Sequence, residues 1–145
     1  MLMLLVIVAT GCGGGGGSIN NNLPEYIDEL GVYEEGYDGV VVYFILADEY
    51  GAMTAFDGTV KLTIIEDYTL LYYDSRDVKE CDFYATTAGV GAFEHDVIVY
   101  SFGRIPYSQF NGPPISKGEV KIKYIFREEG AGIGSVLEVA ESYYF

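Results

Sequence analysis

The chain has no tryptophan, a single histidine and two cysteines. So few nitrogen and sulfur donors cannot build a transition-metal site, and neither His-Glu-x-x-His nor paired-cysteine spacing occurs. The Gly-x-Ser-x-Gly turn that carries many serine nucleophiles is missing as well. Positive charge is scarce: 8 Lys and Arg stand against 22 Asp and Glu, for a net charge of −14, and no base precedes Lys61. Such a surface repels phosphate backbones and anionic head groups. Nucleic acid is therefore a poor partner, and any membrane attachment calls for a covalent anchor. No apolar run reaches the roughly 18–20 residues that span a bilayer. What the chain does have is 50% hydrophobic residues, with 14 Tyr and 8 Phe. That content excludes wholesale disorder and favours pleated strands. A length of 145 residues suits one domain with one core.

The amino terminus reads separately from the rest. Met1–Ala9 is an uninterrupted apolar run of signal-peptide length, far too short to cross a bilayer. Ala9-Thr10-Gly11-Cys12 follows directly. This segment resembles the lipobox of bacterial lipoproteins, in which a small residue precedes a cysteine. In that family the cysteine is diacylated on sulfur and becomes the new amino terminus after cleavage. The resemblance implies cleavage between Gly11 and Cys12, with a lipid such as palmitate on Cys12. Ala9 stands where the family has Leu, and the usual basic residues before the apolar run are missing. Gly13–Gly17 and Asn20–Asn22 then read as a spacer between membrane and domain. The expected organisation is a signal peptide over 1–11, a lipidated tether over 12–21 and one domain over 22–145.

Within the domain, residues 22–31 predict a short helix. Asn22 and Glu25 fit a capping box, Leu23, Tyr26, Ile27 and Leu30 share a helical face, and Gly31 stops it. From residue 39 onward the pattern predicts about seven strands: 40–47, 59–65, 69–73, 81–87, 97–102, 119–126 and 136–144. Asp74–Asp77 reads as a turn. The run 40–47 is apolar on both faces, as in a strand covered from both sides. The alternation places Val60, Leu62, Ile64, Val120, Ile122, Tyr124 and Phe126 inward. Strands this apolar need two sheets packed face to face, an all-β sandwich. The pattern over residues 39–145 resembles the immunoglobulin-like and fibronectin type III-like sandwiches of bacterial surface proteins, without the antibody Cys-Trp-Cys signature; a small barrel or a jelly-roll fragment is the alternative.

Candidate chemistry is thin. His95 lies between Glu94 and Asp96, but neighbours in an extended chain point to opposite sides, so an exposed histidine is expected. Gly130–Gly134 joins two strands and no base follows, so it reads as a hairpin turn rather than a phosphate loop. Asp48, Glu49 and Asp57, and Asp74, Asp77, Glu80 and Asp82, are acidic loop clusters without EF-hand spacing, and no metal is assigned to them. Cys81, once Cys12 carries lipid, is expected to be a small buried thiol on a strand face, with an intermolecular disulfide as the alternative. No catalytic residue and no cofactor is assigned. The 13 residues Ile105–Lys117 hold two aromatics and three prolines, more than a plain connection needs. Tyr107 and Phe110 are accordingly the candidate partner-binding residues. The expectation is an extracytoplasmic, lipid-anchored, noncatalytic binding or structural module that meets a protein or glycan of the envelope. The alternative is an anchored carboxylate-dependent hydrolase acting on glycans, which requires two acids about 5–10 Å apart in one cleft.

Overall fold

The structure is a computed structural model that describes residues 19–114, 117–128 and 130–145. The expected signal peptide, Cys12 and most of the tether lie outside the described residues. Among the described residues the chain forms β1 (Tyr26–Glu34), β2 (Gly39–Ala47), β3 (Met53–Thr54), β4 (Gly58–Glu66), β5 (Thr69–Val78), β6 (Tyr84–Ala88), β7 (His95–Pro106), β8 (Lys117–Phe126) and β9 (Ser135–Tyr144). All pairings are antiparallel, in two sheets. One has the order β1-β2-β7-β6, with the short β3 added on β2, and the other has the order β5-β4-β8-β9. The all-β, two-sheet expectation holds and each of the seven predicted strands is present, but the count is exceeded: β1 and β3 are two further strands among the described residues.

The amino-terminal helix is not. Residues 22–25 are irregular and Tyr26–Glu34 is β1. The reason lies in a register shift between Ile27 and Glu29, where β1 pairs with β2. One bulged residue turns the helix-like spacing of Ile27 and Leu30 into one face of a strand, and both pack on the core with Val32. Gly31 is not a helix stop. The Tyr43 ring lies across its backbone, and a Cβ there would sit 2.0 Å from Cζ. Cross-strand coverage of a strand glycine by an aromatic ring is a known way to pin register. Two smaller corrections concern residues 74–83. Asp74–Asp77 lies inside β5, paired along β4 from Leu62 to Thr59, with Arg76 Nε bonding Asp74 Oδ2 at 2.7 Å on the same face. Residues 80–82 form a short 3-10 turn, so the next strand starts at Tyr84.

The two sheets enclose the inward faces that the alternation predicted. Val60, Leu62, Ile64, Val120, Ile122, Tyr124 and Phe126 are buried against Val40, Val42, Phe44 and Leu46 of β2. Phe44 and Tyr124 meet across the sheets at 5.6 Å between ring centroids, and Phe83 and Tyr100 join them. The other face of β2 is covered too: Ile45 packs with Ala88, Val97 and Val99, roofed by Tyr43, Met53 and Tyr84. That double coverage explains the continuous apolar run of this central strand.

Register decides which connections share an end. Tyr26 pairs with Ala47, Phe44 with Tyr100 and Ala88 with His95. The start of β1, the end of β2 and the 89–94 connection therefore lie together. β3 pairs at Leu46 and Ala47, only a few residues before Gly58, and Thr59 pairs with Ile125. The 127–134 hairpin thus joins the same end, called here the entry end. The far end holds the 35–38 and 67–68 turns, the connection after Pro106 and the last residues of β9.

Candidate functional site

The far end gathers the residues that the sequence singled out. The connection after β7 opens with a 3-10 turn over Tyr107–Gln109 and is laced to both sheets. Tyr107 N donates to Asp38 O at 2.8 Å, and Asn111 donates through its N to Leu71 O at 2.7 Å and through Nδ2 to Leu70 O at 3.2 Å. Around it the rings stack edge to face: Tyr107–Phe110 at 5.3 Å, Phe110–Phe145 at 6.1 Å and Tyr143–Phe145 at 4.9 Å. Tyr72 closes on Phe110 from β5 at 5.7 Å. Tyr107 and Phe110 are therefore brought together, but they face inward. Phe110 is only 8% exposed and belongs to the core. Tyr107 is half-buried, and its hydroxyl donates to Glu34 Oε1 at 3.1 Å. Burial, then the Glu34 carboxylate, pushes that phenol well above the ordinary tyrosine range.

Outside this packed cluster lies an open cleft of about 620 Å³, lined by Glu34, Tyr37, Tyr107, Pro113, Pro114 and Phe145 among others, and by no lysine or arginine. Tyr37 lines this cleft, and two further exposed aromatic rings lie at the same end outside its lining. Tyr37 in the β1–β2 turn and Tyr68 in the β4–β5 turn are fully exposed, and Tyr144 is largely so. Tyr68 and its neighbour Asp67 adopt φ of 62° and 47°. A two-residue hairpin turn with both residues at positive φ is normally built from Asn and Gly. An aromatic held there carries backbone strain, a feature that clusters at functional positions. Sequence reasoning missed both tyrosines. The available signal was a bulky ring in a turn slot that turn chemistry reserves for glycine or asparagine.

The entry end is organised around a carboxylate instead. Asp48, 1% exposed, accepts from Asn22 Nδ2 at 3.0 Å, Asn20 Nδ2 at 2.9 Å, Ala52 N at 3.0 Å and Tyr50 N at 2.9 Å. The Asn22 and Asn20 amides, more than the two backbone donors, hold its pKa down at about 2. Thr54 Oγ1 ties down the Asn20 and Asn22 carbonyls at 3.2 and 2.6 Å, and Ala55 N donates to Asn20 O at 2.9 Å. The asparagines that read as spacer and helix cap are thus the clasp that docks the incoming chain.

The remaining candidates fall into place. His95 is exposed at the start of β7, its Nδ1 3.0 Å from Phe93 O. Asp57 accepts from Glu80 N at 2.8 Å and Asp82 from Lys79 N at 2.8 Å. Among the described residues no group of three or more His, Cys, Asp or Glu converges on one point. Cys81 differs from its expectation. It sits half-buried on the 80–82 turn and is disulfide-bonded, so it is not a free thiol in a strand. Among the described residues no helix is long and apolar enough to cross a membrane. No family model, curated protein or solved structure matches the chain.

Proposed function

We propose that the chain is exported and works outside the cytoplasm as a lipid-anchored, noncatalytic binding or structural module. Cys12 is the anchored residue, and the tyrosine-rimmed far end is the contact surface. The carrying observation is the order of the first segments: an apolar run over 1–9, then Ala9-Thr10-Gly11-Cys12, then Gly13–Gly17. The fold is compatible with such a role. Support comes from the strand order: β1-β2-β7-β6 facing β5-β4-β8-β9, with β3 as an addition on β2, resembles A-B-E-D facing C′-C-F-G of immunoglobulin-like sandwiches. Those antibody domains join strands B and F by a disulfide; here Phe44 and Tyr124 occupy the two strands and meet as rings. Loops at the ends of such a rigid frame are common recognition surfaces. Tyrosine suits contact with protein or glycan, since it offers a large apolar face and a hydroxyl at little entropic cost.

The hydrolase alternative needs two converging carboxylates. The buried ones among the described residues are Asp48 and Glu66. They stand at opposite ends of the sandwich: Asp48 follows β2 at the entry end, and Glu66 closes β4 at the far end. Asp48 is also saturated by four donors. That separation favours the noncatalytic reading.

A second reading has its own observation. Cys81 is disulfide-bonded, and the only other cysteine of the chain is Cys12. One sulfur cannot hold both a lipid and a disulfide. In this reading the chain is still exported, because disulfides persist in oxidising compartments, but it is not anchored. Membrane fractionation of wild type, Cys12→Ser and Cys81→Ser separates the two. The anchored reading expects wild type and Cys81→Ser with the membrane and Cys12→Ser in the soluble fraction. The second reading expects all three soluble, with wild type shifting in mobility on reduction. A cytosolic wild type with both thiols free overturns both.

A further inference from the structure

The solvent face of the second sheet can be read row by row from its register. Strands β5, β4, β8 and β9 set Ser75, Lys61, Lys123 and Glu138 in one row, and Tyr73, Thr63, Lys121 and Ala140 in the next. Two rows further along β8, Lys117 stands opposite Tyr144, with Nζ 5.5 Å from the ring centroid. Four of the five lysines of the chain thus lie on one face of one sheet, in a protein of net charge −14.

The fold does not ask for lysine there, since Thr59 and Thr63 fill the equivalent places on β4. Lys61 and Lys123 stand directly opposite each other, an arrangement that destabilises a sheet, and Lys121 is next along the same face. One carboxylate serves the group: Glu138 lies 3.3 Å from Lys121 and 3.5 Å from Lys123. Among the described residues Lys61 makes no ion pair. Of the other acids on this face, Asp77 is bonded by Thr59 Oγ1 at 3.1 Å, and Glu119 lies two rows from the Lys61–Lys123 pair. A local rule broken without structural gain is characteristic of a functional surface.

The occupant must be anionic, and the composition of the face narrows its kind. Protein interfaces centre on large aromatic anchors and are poor in lysine. Here the centre is lysine, threonine and alanine, and the exposed rings, Tyr73 and Tyr144, stand on the two edge strands. They are about 20 Å apart at the spacing of strands and residues, a reach that calls for an extended ligand. A polynucleotide of dense charge is repelled by the rest of the chain, and none of these rows holds an arginine to fork a phosphate. Sugars bearing spaced carboxylates suit point charges, hydroxyls and flat phenol rings together.

We propose that the outer face of the β5-β4-β8-β9 sheet binds an anionic polysaccharide, with carboxylates on Lys61, Lys121 and Lys123 and sugar rings against Tyr73 and Tyr144. This surface is separate from the far-end cleft and requires no lipid on Cys12.

Polygalacturonate, with one carboxylate per sugar, is titrated calorimetrically into the full-length protein at low ionic strength. The expected result is binding that salt weakens, and that Lys61→Gln combined with Lys123→Gln weakens by about fivefold or more. The same double variant keeps or gains melting temperature, because it removes a like-charge pair. Tyr73→Ala also weakens binding, and Glu138→Gln strengthens it by removing the competing carboxylate. Lys79→Gln combined with Arg127→Gln removes two charges outside this face and leaves the affinity within about twofold. No binding by wild type, no loss in the Lys61/Lys123 variant, or an equal loss in the Lys79/Arg127 variant overturns the proposal. So does equal, lysine-dependent affinity for a single-stranded polynucleotide, which would mark a site for charge alone.

Discussion

The two ends of this sandwich are closed by different chemistry. At the far end the closure is aromatic: Phe110, Phe145, Tyr143 and Tyr107 lean on one another, and one phenol reaches a carboxylate. At the entry end it is polar: one buried carboxylate collects two asparagine amides and two backbone donors. The exposed groups are distributed in the opposite sense. The polar clasp shares its end with exposed Tyr50, Val90, Phe93 and Ile133, and the aromatic cluster shares its end with exposed Tyr37, Tyr68 and Tyr144. Internal closure and outward display are thus separable at each end, and only the display bears on partners.

The sharpest break of that comparison comes from Phe110→Ala, which opens a cavity beneath the far-end cleft. A loss of about 3–5 kcal/mol is expected in denaturant unfolding. A loss below about 1 kcal/mol would mean that the rings are not the mortar of that end.

Asp48→Asn attacks the other closure and has a distinct pH signature. Folding lowers the Asp48 pKa from about 4 to about 2, so the folded state favours the ionised form. Its contribution is complete above about pH 4 and drains away as the pH falls through about 2. The melting temperatures of wild type and Asp48→Asn should therefore differ at pH 7 and converge near pH 2. A gap that stays constant with pH would remove the charge from the explanation.

Tyr68→Gly relieves the positive-φ strain in the β4–β5 turn and should raise stability by about 0.5–1 kcal/mol, net of the entropy that glycine adds to the unfolded chain. If the tyrosine is kept for contact, the same substitution weakens partner binding at the far end, a gain in stability at the cost of function. The smallest effect is expected from Glu138→Gln. Its carboxylate lies 3.3 and 3.5 Å from Lys121 and Lys123 on the solvent face, and exposed pairs of this kind seldom contribute measurably. No resolvable change in melting temperature is predicted.

Much of the fold was legible in the alternation of residues. Val60-Leu62-Ile64 and Val120-Ile122-Tyr124-Phe126 face inward as their period requires, and the double-sided run of β2 is buried on both faces. What misled was local spacing whose meaning depends on a distant partner. Ile27 and Leu30 are three apart, which suits a helix until a bulge against β2 makes the same spacing suit a strand. Asp74–Asp77 has turn composition, yet β4 offers it a full register of partners. The site was legible only in part. The 107–110 segment is indeed a focal point, but whether a ring points in or out is decided by Tyr72, Tyr143 and Phe145 from other strands. The Asp48 clasp was hidden because its donors, Asn20 and Asn22, are remote in sequence and sit in a stretch with the composition of a linker.

The central claim concerns one sulfur atom, and intact mass of the mature chain tests it most directly. The anchored account predicts a polypeptide beginning at Cys12, heavier than its sequence by the acyl groups and unchanged by reductant. A chain without acyl mass, lighter than its sequence by two hydrogen atoms until reduced, would contradict the anchor and establish the disulfide in its place.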